Sequence, residues 1–246
     1  LILNKYYYKM TVPDGETFYF TGIDDDGSLE NLTTDEREIR NNRQMLSGTG
    51  FFIDKEGTIM TNRHVAQPVI DKEAVKESYN NLVASIRAYY TQQMDELDNA
   101  YKNLSMEKAN CYTFDYDGTP YEDTEKMQDI VNRQNELEEQ YNSLQQQREW
   151  LDNQMVADEL KISVVCEVGI AYNGTRVSTE GDVIGKNPCE VTRVSDKDDV
   201  DLALIQLKDK KTPGDAYVFA TDGKSTGGLV DKVTSLFSSH NDDILQ

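Results

Sequence analysis

Two histidines occur in this chain of 246 residues, and His64 closes a stretch whose spacing suits it to proton transfer. Ser47-Gly48-Thr49-Gly50-Phe51-Phe52-Ile53-Asp54 is followed shortly by Gly57-Thr58-Ile59-Met60-Thr61-Asn62-Arg63-His64-Val65. Phe51 to Ile53 is a short apolar run opened by glycines, and Asp54-Lys55-Glu56-Gly57 is a polar connection of hairpin length. Ile59 and Met60 begin the return strand, and the chain turns polar at Thr61-Asn62-Arg63. The imidazole is therefore expected at the end of a strand, where sites are usually assembled. It can act as a general base if a carboxylate accepts its Nδ1 proton and fixes its tautomer. Asp201 fits that task, because it immediately precedes Leu202-Ala203-Leu204-Ile205-Gln206-Leu207, which reads as a buried strand.

The pair S-G-T-G-F-F-I-D…T-N-R-H-V and D-L-A-L-I-Q-L resembles the first β-barrel of the HtrA-like (DegP-like) branch of trypsin-like serine peptidases. His64 stands at the family's histidine and Asp201 at its aspartate. Between them, Lys161 to Val168 and Pro188 to Ser195 resemble the two strands that precede the aspartate strand in that barrel. The resemblance implies an antiparallel barrel of six or seven strands, a protein or peptide substrate, and a bacterial periplasmic or extracellular setting. It also implies a nucleophilic serine in a G-x-S-G context on a second barrel, next to the backbone donors of an oxyanion hole. This chain has no such motif. Gly223-Lys224-Ser225-Thr226-Gly227-Gly228 is the nearest string, and it follows Asp201 too soon for a second barrel to intervene. The expectation is the N-terminal portion of a serine endopeptidase, inactive by itself, with the nucleophile beyond Gln246. The alternative is a non-catalytic, peptidase-like module for binding or assembly.

More than half of the chain lies between His64 and Asp201, far more than barrel strands require, and the excess has helical periodicity. From about Lys72 to Glu107, apolar residues recur at Val75, Tyr79, Leu82, Ile86, Tyr90, Met94, Leu97, Tyr101 and Leu104, in steps of three and four. From about Tyr121 to Glu159 the pattern tightens into heptads. Ile130, Leu137, Leu144 and Leu151 form one column; Met127, Gln134, Tyr141, Arg148 and Met155 form the other. At ~1.5 Å per residue each helix would reach roughly 55 Å, which favours an antiparallel hairpin. Its tip is expected at Lys108 to Pro120, with Pro120 opening the second helix. Insertion just after the histidine strand places the base of this arm at a rim of the barrel. The arm can then meet a protein partner or a second copy.

The expected organisation is a discontinuous barrel over 1–70 and 160–210, a helical hairpin over 71–159, and a linker over 211–246. Tyr6 to Val12 and Glu16 to Thr21 read as a strand pair around Pro13-Asp14-Gly15. Asp24-Asp25-Asp26-Gly27 lacks the ligand spacing of an EF-hand, so a solvated loop or short capped helix is expected there. The net charge of −20 opposes binding to nucleic acid or anionic membranes. No apolar run is long enough to span a bilayer, and no basic, apolar leader opens the chain. Cys111, Cys166 and Cys189 lack C-x-x-C spacing; Cys166 and Cys189 fall in strands that can be neighbours, so a pair or two free thiols both fit. With two histidines, no catalytic zinc is expected, and no other cofactor is implied; His240 reads as an exposed loop residue.

Overall fold

A computed structural model describes residues 1–13, 15–153, 159–197 and 199–219. The chain divides into two compact units: Leu1–Thr11, Glu16–Lys72 and the residues from Lys161 onward form one, and Val12–Gly15 with Glu73–Leu160 form the other.

The first unit begins with β1 (Ile2–Thr11), β2 (Thr17–Phe20), the short pair β3 (Gly22–Ile23) and β4 (Leu29–Glu30), and helix α1 (Glu36–Asn41). β5 (Gln44–Gly48), β6 (Gly50–Phe52), β7 (Thr58–Thr61) and the single-turn helix α2 (Arg63–Ala66) follow. The second unit holds α3 (Lys72–Ala109) past its first residue, β8 (Tyr112–Phe114), β9 (Pro120–Glu122) and α4 (Thr124–Asn153). The first unit resumes with β10 (Lys161–Ile170), α5 (Glu180–Lys186), β11 (Pro188–Val194) and β12 (Ala203–Leu207).

Eight strands form one antiparallel sheet in the order β2-β1-β10-β11-β12-β7-β6, with β5 also paired to β1. The aromatic, β-branched composition of β1 and β10 supports ten continuous residue pairs, from Ile2↔Ile170 to Thr11↔Lys161. The core joins Ile2 of β1, Phe52 of β6, Ile59 of β7, Val65 and Ala66 of α2, Val168 and Ile170 of β10, Cys189 of β11, and Ala203, Ile205 and Leu207 of β12. The strand expected over Phe51–Ile53 is β6; β5, which precedes it with a different partner, was not foreseen. The reason for the change of partner is local. A Cβ on Gly48 would lie 2.6 Å from Val65 Cγ2, and one on Gly50 would lie 2.6 Å from the Met60 carbonyl oxygen. These glycines let the chain change partners at Thr49, whose carbonyl accepts the Thr61 hydroxyl at 2.8 Å.

The Asp24–Gly27 stretch is an exposed turn, as expected: Asp24 Oδ1 accepts the N–H groups of Asp26 and Ser28, β4 follows, and Asp35 caps the short helix α1 through the Arg37 N–H. Helix α5 was not foreseen, although Thr179 and Asp182 form a reciprocal capping box at its start. It lies so close to β10 that a Cβ on Gly169 would approach Ile184 Cα to 2.4 Å. Residues 211–219 return to the sheet: Thr212 Oγ1 donates to the Asp54 carbonyl, and the Phe219 N–H donates to that of Phe52.

In the second unit, α3 and α4 run antiparallel. Arg87 pairs with Asp152, Tyr101 hydrogen-bonds Glu138, Gln134 donates to Ser105 Oγ at 2.9 Å, and Lys126 pairs with Glu107. Of the anticipated stripe, Val75, Tyr79, Met94 and Leu104 are buried, whereas Val83 rather than Leu82 faces inward. Ile130 and Leu151 are buried on α4 together with Gln134, while Met155 falls outside the described residues. Pro120 does not open α4. It sits in β9 opposite Phe114, and Asp123 supplies the cap by accepting the Lys126 N–H at 3.1 Å. None of the described helices is long and apolar enough to cross a membrane.

Candidate functional site

The sheet register brings the two candidate residues together. Ala203 pairs with Thr61 across β12 and β7, so the chain leaving β7 runs beside the chain entering β12. Three residues past Thr61 is His64, and two before Ala203 is Asp201. Neither residue lies on a strand: β7 stops at Thr61 and His64 occupies the first turn of α2, while Asp201 sits in the loop ahead of β12. The anticipated strand-end position is thus displaced by one helical turn. Asn62 and Arg63 give up ladder pairing, and Val65 and Ala66 turn inward to join the core.

Asp201 uses both oxygens. Oδ2 lies 2.7 Å from His64 Nδ1 and accepts Asn62 Nδ2 at 2.8 Å; Oδ1 accepts the His64 backbone N–H at 3.0 Å. Partial desolvation pushes the Asp201 carboxyl up. The hydrogen bonds from Asn62 and from the backbone and ring of His64 outweigh it and hold the group below the usual aspartate range. An ionised carboxylate can only accept, so Nδ1 carries a proton in this pair, which in a neutral imidazole leaves Nε2 as the basic nitrogen. No partner meets Nε2 among the described residues. The imidazole is open, with its side chain 62% exposed and that of Asp201 47% exposed.

Sequence reasoning missed two residues here. Asn62 occupies the N-cap of α2 but makes no capping bond; the Asp201 carboxylate takes the helical N–H instead, and the Asn62 amide binds Asp201. Its position directly before Arg63-His64 was the available signal. Asn4, fully buried on β1, donates through Nδ2 to the carbonyls of Val65 at 2.9 Å and Ala66 at 3.0 Å. Those are end carbonyls of α2, which a single-turn helix cannot satisfy internally. Nothing local in the sequence links Asn4 to His64.

A cavity of ≈ 340 Å³ flanks the same turn, lined by Arg63, Gln67, Pro68, Ile162, Val164 and Ser195 among others. A larger groove, ≈ 470 Å³, lies between α3 and α4 at Leu97, Tyr101, Leu137 and Tyr141; its titratable lining is the Tyr101–Glu138 pair, Tyr141 and Asp98, which is paired with Lys102. The three cysteines are free thiols, Cys111 and Cys189 buried and Cys166 partly so. Burial pushes the Cys189 thiol up to about 12, which makes it unreactive. Among the described residues no cluster of His, Cys, Asp and Glu has the arrangement of a metal site. Ser225 and His240 lie outside the described residues. Comparison with family models, with curated proteins and with solved structures returns no match.

Proposed function

We propose that this chain supplies the general base and its orienting acid to a serine endopeptidase of the trypsin-like, HtrA-like kind, acting on protein or peptide substrates. The observation that carries the reading is the Asp201 carboxylate, which binds an exposed His64 through both the ring Nδ1 and the backbone N–H and leaves Nε2 unpartnered among the described residues. In such an enzyme Nε2 takes the proton of a serine hydroxyl as that oxygen attacks the scissile carbonyl, then returns it to the leaving amine. Asp201 stays ionised throughout and stabilises the imidazolium. The nucleophile is not among the described residues in contact with His64.

The fold reading that accompanies it is a barrel. Its support is the run from Gln44 to Phe52, which pairs with β1 through β5 and with β7 through β6, so it joins the two sides of the sheet around a shared core. Casein digestion by the full gene product tests the function. The reading expects cleavage that falls by about 10³-fold or more in His64→Ala and Asp201→Asn. Equal cleavage by wild type and both variants would overturn it. A binding or assembly module is the second reading, favoured by the exposed aromatic residues at the end of the helical arm.

A further inference from the structure

The far end of α3 and α4 is built as a small platform. Leu104, Cys111 and Ile130 are buried together, with Met127 and Leu137 packed on them. The Asp123 N–H donates to the Cys111 carbonyl at 3.2 Å and fastens the β8–β9 ribbon above them. Gly118, at φ 84°, closes the ribbon's turn with its N–H on the Asp115 carbonyl.

Side chains alternate across such a ribbon, and Tyr112 pairs with Glu122 while Phe114 pairs with Pro120. Tyr112 and Phe114 therefore share one face, and both stand in solvent at 60% and 68% exposure. Tyr116 at the turn is fully exposed, and Tyr121, opposite Thr113, is exposed on the ribbon's other face. Apolar side chains scattered singly over a surface are ordinary, but large rings exposed together on one short ribbon mark a contact surface. Tyr and Phe are also among the residue types enriched at protein interfaces.

The charge around these rings selects the partner. From Glu107 to Lys126 the chain carries Glu107, Asp115, Asp117, Glu122, Asp123 and Glu125 against Lys108 and Lys126, of which Lys126 already pairs with Glu107. Phosphate backbones and anionic bilayers are repelled by this set, and a second copy would bring the same acids to a chain of net charge −20. Arg and Lys side chains suit it doubly, since they pair with carboxylates and lie over aromatic faces. We infer that the β8–β9 ribbon is a docking surface for a partner protein that presents arginine or lysine around an apolar seat. The inference stands apart from the peptidase reading and does not need His64.

Selection of a phage-displayed random-peptide library on the intact chain tests it, with Tyr112→Ser/Phe114→Ser as the counter-target. Both rings are solvent-exposed, so the variant keeps its fold, which circular dichroism checks. The expected winners combine Arg or Lys with apolar residues; synthetic copies lose about tenfold or more in affinity for Phe114→Ser and weaken as salt rises. Absence of enrichment over the counter-target, or winners that are acidic or uncharged, would overturn the inference. So would co-sedimentation of the chain with phosphatidylcholine vesicles, or a dimer in sedimentation, that the double substitution abolishes.

Discussion

At the scale of single residues, the His64–Asp201 pair rests on supports of very different visibility. The carboxylate before Leu202-Ala203-Leu204 and the histidine after the Phe51–Met60 hairpin are legible because each abuts an apolar run that must be a strand. Asn62 and Asn4 are not, because a polar residue's partner across the fold leaves no trace in local spacing. Asn4 gives the sharper prediction. Asn4→Leu leaves the Val65 and Ala66 carbonyls buried without donors, at about 1–3 kcal/mol each. It should lower Tm and broaden the His64 ring signals in NMR, while Asn4→Asp, which keeps the shape but not the donors, should do the same. A sharp wild-type-like His64 spectrum in a folded Asn4 variant would show that the turn holds itself. Acid separates the pair in a defined direction. The Asp201 carboxyl is held below its ordinary value of about 3.9, so the stability it lends is complete above that value and is lost as pH falls through the lower folded one. The Nδ1–H resonance should persist from neutral pH down past the ordinary aspartate value, disappear only as pH falls through the lower folded one, and be missing from Asp201→Asn at neutral pH.

Elements were readable where one period dominates. The hairpin of β6 and β7 and the inward stripe of α3 follow from alternation and from steps of three and four, even though Val83 replaces Leu82 on the buried side, whereas β10 runs two residues past the expected Val168. The break between β5 and β6 was hidden, because Gly48 and Gly50 also suit an uninterrupted loop, and what requires them is the approach of Val65 and Met60 from elsewhere in the fold. Gly50→Ala would place a Cβ 2.6 Å from the Met60 carbonyl, and the cost should be about 1–3 kcal/mol in denaturant unfolding. At the arm's tip the sequence rightly marked a turn, but Pro120 suits a strand pair as well as a helix start, and the ribbon wins because Asp123 is available as the cap. Gln134 is a polar member of the seam between the two helices and is buried against Ser105. Gln134→Leu should raise the melting temperature of the arm by adding apolar burial, at the expense of a contact that fixes register. A lower melting temperature would mean that the hydrogen bond outweighs the burial.

For the molecule as a whole, a strongly acidic chain carries one histidine beside one aspartate and an acidic, aromatic ribbon at the end of a helical arm. The two long helices were foreseeable from periodicity and the antiparallel sheet from the resemblance, whereas α2 and α5 were not foreseen. The pairing of Ala203 with Thr61, which unites the two motifs, depends on register between segments more than half the chain apart and emerges with the fold. The central claim is that His64 activates a serine. Fluorophosphonate labelling of the full gene product, followed by mass spectrometry of the modified peptide, tests it most directly, since only an activated serine reacts quickly. The account predicts rapid labelling of a single serine, lost in His64→Ala and slowed strongly in Asp201→Asn. A folded wild-type protein that remains unlabelled, or that labels equally in both variants, would contradict it.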